Sequence, residues 1–96
     1  MHTGAPSITS LLFDGNTTST LICISTGGPP TAVTWRRNGV LVADSLYRQT
    51  QIIVDPVAVV YKNMLSINER SDIGDNFTCE VRNIRGGDQQ TLLHST

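Results

Sequence analysis

The stretch NFTCEVRN, Asn76–Asn83, decides the fold. In an extended chain successive side chains point to opposite faces. Phe77, Cys79 and Val81 therefore share one face, and Asn76, Thr78, Glu80 and Arg82 share the other. An apolar face backed by a polar one is the pattern of a strand that buries one side and solvates the other. Cys79 points inward in this reading. Its role depends on Cys23, the second of two cysteines in the chain.

Working outward, the same alternation recurs between turn signals. Ser19–Thr26 puts Leu21, Cys23 and Ser25 on one side, and Gly27–Pro30 ends that strand because glycine and proline are poor members of a central ladder. Ala32–Gly39 places Val33 and Trp35 on one face, and Asn38-Gly39 predicts a two-residue hairpin turn, which needs positive φ at both positions. Val40–Ser45 is the short returning strand. Tyr47–Pro56 reads as a strand ending in an Asp-Pro turn. Val59–Ile67 alternates Tyr61, Asn63, Leu65 and Ile67 against Val60, Lys62, Met64 and Ser66. Ile84–Asp88 reads as a glycine hairpin loop, followed by a last strand from Gln89. No segment carries a helical period. Turn signals every 8–12 residues over about a hundred residues predict an all-β sandwich of two antiparallel sheets.

Bulk properties narrow the function. The chain has 96 residues, 39% hydrophobic and 16% charged, with a net charge of −1. That is one domain's worth of chain, with a modest core that a cross-link would help. The charge argues against nucleic acid, which calls for a basic stripe, and against docking on anionic membranes. No apolar run approaches the ~20 residues that span a bilayer. Residues 1–10, MHTGAPSITS, lack the basic start and apolar middle of a signal peptide. Met1 reads as an added start on a fragment of a larger protein. Residues 1–5 are expected to be an appended or flexible N-terminus and residues 6–94 a single domain.

Two cysteines cannot make a four-ligand zinc site, and there is no Cys-x-x-Cys. On the residues alone, a disulfide and two unpaired buried thiols both remain open. His2 and His94 fall near the chain ends, where frayed segments are expected, and neither has a nucleophile beside it. A nucleophile without a neighbouring base is inert, so no enzyme is expected. Glu69, Asp72 and Asp75 match no calcium loop, so no metal or cofactor is expected.

Leu21-x-Cys23, Trp35-Arg36-Arg37-Asn38-Gly39, Leu65-Ser66-Ile67, Asp72-x-Gly74 and Phe77-x-Cys79-x-Val81-x-Asn83-x-x-Gly86 occur in that order across nearly the whole chain. Together they resemble the immunoglobulin superfamily, at the border of its intermediate (I-set) and variable classes. Thr26–Gly39 and Tyr61–Ile67 also resemble modules of invertebrate receptor and adhesion ectodomains, receptor kinases among them. The resemblance implies an immunoglobulin-like Greek-key sandwich, a Cys23–Cys79 disulfide between the sheets, and a core of Trp35, Leu65, Ile67, Phe77 and Val81. It also implies a candidate Arg48–Asp72 ion pair across the base of the sandwich.

The chain departs from the family in two places. Phe77 stands where a tyrosine usually bonds back to the backbone, a hydrogen bond worth about 0.5–1.5 kcal/mol. One extra residue separates Gly74 from that position, so a bulge or shifted corner is expected before the strand.

Asn16-Thr17-Thr18 and Asn76-Phe77-Thr78 are glycosylation acceptor triplets, and in an extracellular domain both asparagines face outward. Thr34, Arg36, Thr78, Glu80 and Arg82 lie on the polar side of the two central strands. Arg36, Glu80 and Arg82 are placed for a cross-strand charge ladder. This is either a solvated face or a surface that recognises a protein, another immunoglobulin-like domain or a second copy of itself. Two functions follow. One is an extracellular recognition module, in a secreted or single-pass membrane protein. The other is a passive spacer in a tandem array. A disulfide favours the extracellular setting.

Overall fold

Each alternating segment with an apolar face forms a strand, and the polar breaks turn the chain. The computed structural model describes residues 4–14, 19–27, 32–42, 48–57, 59–67 and 74–94. Among these the strands are β1 (Ser7–Asp14), β2 (Thr20–Thr26), β3 (Ala32–Arg37), β4 (Val40–Leu41), β5 (Arg48–Asp55), β6 (Val60–Ser66), β7 (Asn76–Asn83) and β8 (Gly86–Leu93). They make two four-stranded sheets, ordered β1-β2-β6-β5 and β4-β3-β7-β8, with every pairing antiparallel.

The inner faces meet over the Cys23–Cys79 disulfide, which ties β2 to β7 with a Cα–Cα distance of 6.4 Å. Trp35 is 2% exposed and lies directly opposite Cys79 in the β3–β7 ladder, so its ring shares the inner face with the sulfurs. Ile8, Leu21, Leu65, Ile67, Phe77 and Val81 complete the core. Each such side chain contributes about 1.5–3 kcal/mol on burial. Asn63 is one of four buried polar residues among those described, with Thr20, Ser25 and His94. It is buried, donates to the Cys23 carbonyl at 3.3 Å and accepts from the Gln51 carboxamide at 2.6 Å.

β1 carries no clean period-two pattern, because its register against β2 shifts between Ile8 and Ser10. The Ile8 amide donates to the Asp88 carboxylate at 2.8 Å, and its carbonyl accepts from Gln90 Nε2 at 3.3 Å. β1 thus crosses from one sheet towards the edge of the other, held there by side chains of β8.

The Asn38-Gly39 turn forms as read, with φ of 52° and 84°. The second hairpin is tighter than the sequence suggests. Its turn is Ile84-Arg85 alone, with Asn83 opposite Gly86 and the Asn83 carboxamide accepting the Arg85 amide at 2.8 Å. Gly86, Gly87 and Asp88 belong to β8 and not to a loop. Gly87 is there for close approach: a Cβ would sit 2.5 Å from the Val81 carbonyl oxygen.

The extra residue before β7 is absorbed in a bulge. Gly74 has φ of 93°, its amide donates to the His94 carbonyl at 2.7 Å, and the His94 amide donates to the Asp75 carbonyl at 2.9 Å. Two residues of one chain segment therefore oppose one of the other, with glycine at the left-handed position. β7 keeps an unbroken register against both β3 and β8. Residues 68–73, including the rest of the corner, lie outside the described residues.

His94 is not in a frayed end. It is fully buried, with its ring centroid 4.4 Å from that of Phe13 and 6.3 Å from that of Phe77. The bulge extends the β7–β8 pairing by one residue, and alternation from Leu92, which faces Phe77, turns the imidazole inward. Neither ring nitrogen has a hydrogen-bond partner. A buried polar group left unmatched costs about 1–3 kcal/mol. His94→Leu is therefore expected to stabilise the domain by about 1 kcal/mol, after loss of the ring contact with Phe13. Urea denaturation of the two proteins measures the difference.

Candidate recognition face

Residues paired across a ladder share a face, so the β3–β7 register assembles the outer surface of the second sheet. Thr34 pairs with Glu80, Arg36 with Thr78 and Ala32 with Arg82. Glu80 sits at the centre. Arg36 Nη1 donates to its Oε1 at 2.9 Å, and Arg82 Nε and Nη2 both donate to Oε2 at 2.9 Å. The charge ladder expected from the sequence is thus a triad of two guanidiniums on one carboxylate. The Glu80 side chain is only 12% exposed, against 34% for Arg36 and 63% for Arg82. Hydrogen bonds from Arg36 and then Arg82 hold the Glu80 carboxyl below its ordinary range, against the opposing effect of burial. The triad carries one net positive charge and presents it through the arginines.

The neighbouring strands widen the face. Thr78 Oγ1 hydrogen-bonds Thr91 Oγ1 at 2.8 Å. Leu41, 64% exposed, lies opposite Arg36, and Leu93, 56% exposed, lies opposite Asn76. Arginine flanked by exposed apolar side chains is a composition favoured at protein interfaces. The sequence does not point to Leu41, Thr91 or Leu93, because their place on this face depends on which strands pair with β3 and β7.

A second polar cluster fixes the edge of this face. Arg37 Nε donates to Asp75 Oδ2 at 2.5 Å, and Asn38 Nδ2 donates to Asp75 Oδ1 at 2.9 Å. Asn38 Oδ1 in turn accepts the Asn76 amide at 2.9 Å. The bulge at Gly74 thus delivers Asp75 to the β3–β4 turn and locks the turn onto β7. The hydrogen bond from Asn38, followed by Arg37, lowers the Asp75 pKa.

Both carboxyls are depressed by native contacts, which sets the sign of an acid effect. Their stabilising contribution is fully present above the unfolded carboxylate range near pH 4 and is lost as pH falls through the lower folded values. Stability is expected to fall as the pH drops below about 4. Glu80→Gln is expected to flatten that fall, and urea midpoints measured across the range check it.

Of the remaining candidates, Asn76 is exposed at the start of β7 and Arg48 is exposed at the start of β5. Asn16 and Asp72 lie outside the described residues, as do Glu69 and residues 28–31. A cleft of about 240 Å3 opens beside Trp35 and Asn63, between β3 and β5. Sites for drug-sized ligands occupy about 300–1,000 Å3, so the cleft is small for such a molecule.

A family model described as immunoglobulin domain matches residues 3–83. No curated protein matches the chain. Among solved structures the chain is similar to "Crystal structure of Down Syndrome Cell Adhesion Molecule (DSCAM) isoform 1.30.30, N-terminal eight Ig domains", with a TM-score of 0.66 and 16% identity. The match covers 90% of this chain and 12% of that one. A likeness at that identity shows the fold: an all-β, immunoglobulin-like sandwich.

Proposed function

The chain belongs to the immunoglobulin domain family, and from that premise we propose that it is a non-catalytic, extracellular recognition module of an adhesion-type or receptor protein. Domains of this family generally carry no chemistry of their own and present a sheet face or end loops to protein partners. Here the proposed partner surface is the outer face of β3 and β7, formed by Thr34, Arg36, Thr78, Glu80 and Arg82. The observation that carries the reading is the Arg36–Glu80–Arg82 triad on the same sheet face as exposed Leu41 and Leu93. Preorganised arginines lose less freedom on binding than unrestrained ones, which favours their use at an interface. The disulfide supports the extracellular setting, since such bonds persist in oxidising compartments. Exposed Asn76 is proposed as a glycan site on the border of the face.

A glycan wedge tests the reading. Gln89→Asn creates an acceptor triplet with Gln90 and Thr91, directly opposite Glu80. Cells displaying the domain from a membrane anchor are expected to adhere to each other or to partner-bearing cells, and this variant is expected to abolish that adhesion. Adhesion unchanged by an occupied glycan at that position sinks the face. No adhesion in either protein returns the domain to the passive-spacer reading.

A further inference from the structure

The four sheet edges are treated differently. β4 is a two-residue edge. β1 and β8 lie together, with the Ile8 backbone groups taken by Asp88 and Gln90. β5 is eight residues long and every one of them is exposed. It is paired with β6 on one side, and among the described residues no strand covers the other. Ile52, Ile53 and Val54 are 45%, 56% and 55% exposed, and Val57 just beyond is 86% exposed. Natural edges are usually blunted by lysine, proline or short length. From Gln49 to Val54 this strand has no charge and no proline, and its apolar residues have high β-propensity. Such an edge is a template for another strand.

The ends of β5 say which strand. Its pairing with β6 sets Arg48, Thr50, Ile52 and Asp55 opposite Ser66, Met64, Lys62 and Val60, with the register shift falling at Val54. Arg48 and Asp55 therefore lie on the same outer face, one at each end. Gln49, Gln51 and Ile53 lie on the other face. A two-fold antiparallel pairing requires facing residues to lie on the same side of the joined sheet. Of the registers that satisfy this, the one with Gln51 against its own copy at the axis also matches the charges. Thr50 then faces Ile52, Gln49 faces Ile53 and, with the bulge at Val54 absorbed, Arg48 faces Asp55 at both ends. A parallel pairing would set like charges side by side.

We propose that β5 is a homodimerisation edge, pairing antiparallel with β5 of a second copy to make one continuous eight-stranded sheet. Backbone hydrogen bonds along the edge supply the attraction. The two Arg48–Asp55 contacts select direction and register, as opposed charges do between strands. The surface is separate from the β3–β7 face, and the proposal stands whether or not that face binds a partner.

Sedimentation of the 96-residue chain across a concentration series tests it. The expected result is a reversible monomer–dimer equilibrium. Arg48→Asp and Asp55→Arg should each raise the dissociation constant about tenfold or more, since each sets like charges opposite one another. The double variant, with both reversed, should restore dimerisation. Asp55 also accepts the Val57 amide. If Asp55→Arg disturbs that turn, Arg48→Asp and Ile52→Lys, with circular dichroism as the folding control, carry the test. A chain that stays monomeric at every concentration overturns the proposal. So does a dimer indifferent to Arg48→Asp and Ile52→Lys, which would be using another surface.

Discussion

Replacing both cysteines, Cys23→Ala with Cys79→Ala, is expected to lower the unfolding free energy by about 4 kcal/mol. The bond closes a loop with a sequence separation of 56. Opening a loop of that size returns about 14 cal/mol/K of chain entropy to the unfolded state. Domains of this class have only about 5–15 kcal/mol in all, so the variant should sit near the edge of folding. Both sulfurs are fully buried beside Trp35, and the small cavity left by the alanines adds to the loss. In urea, at a slope of about 1–2 kcal/mol/M, the midpoint should fall by roughly 2–4 M. A fall of less than about 1 M would show that the unfolded chain is already compact around these strands.

Trp35→Ala is expected to cost about 3–5 kcal/mol, the range for emptying a large aromatic site in a core. The figure belongs towards the lower end, because Trp35 also lines the cleft between β3 and β5. Water can enter part of the vacated space from there, which spares the protein a dry void. The effect should not add simply to that of losing the disulfide. Trp35 and Cys79 face each other across one ladder, and residues in contact show coupling of about 0.5–3 kcal/mol. Denaturant titration of the two variants and their combination measures the coupling. A sum with no coupling would mean that the ring and the sulfurs are held independently.

Both predictions concern residues whose inward position is legible in the sequence. Alternation in β2, β3, β6 and β7 identifies the inward residues, because period-two patterning follows from strand geometry alone. Asn38-Gly39 announces its turn because few other residues accept two positive φ angles in succession. The immunoglobulin resemblance follows from spacing that the two sheets impose on Cys23, Trp35 and Cys79.

Elsewhere the local sequence carries no signal. β1 changes register partway, so its pattern never repeats. Gly86 and Gly87 look like a loop, yet Gly87 is needed for a close approach that only the β7 backbone makes visible. His94 looks like a polar terminal residue, because only the bulge at Gly74 shows that a ladder runs on through it. The candidate face divides the same way. Parity assigns Arg36, Glu80 and Arg82 to one side of their strands. Their union on a single carboxylate, and the arrival of Leu41 and Leu93 beside them, depend on which strands are neighbours.

The chain by itself thus determined the strands with a buried face, the turn at Asn38-Gly39 and the residues of the core, since each is written in the local alternation of side chains or in the φ angles a turn demands. Which edges are covered, where Asp75 and His94 point, and why β5 alone lies long and open among the described edges were decided by tertiary structure. The covered edge and the direction of Asp75 arise from pairings across roughly 40 to 80 residues of chain, and no short-range pattern encodes them.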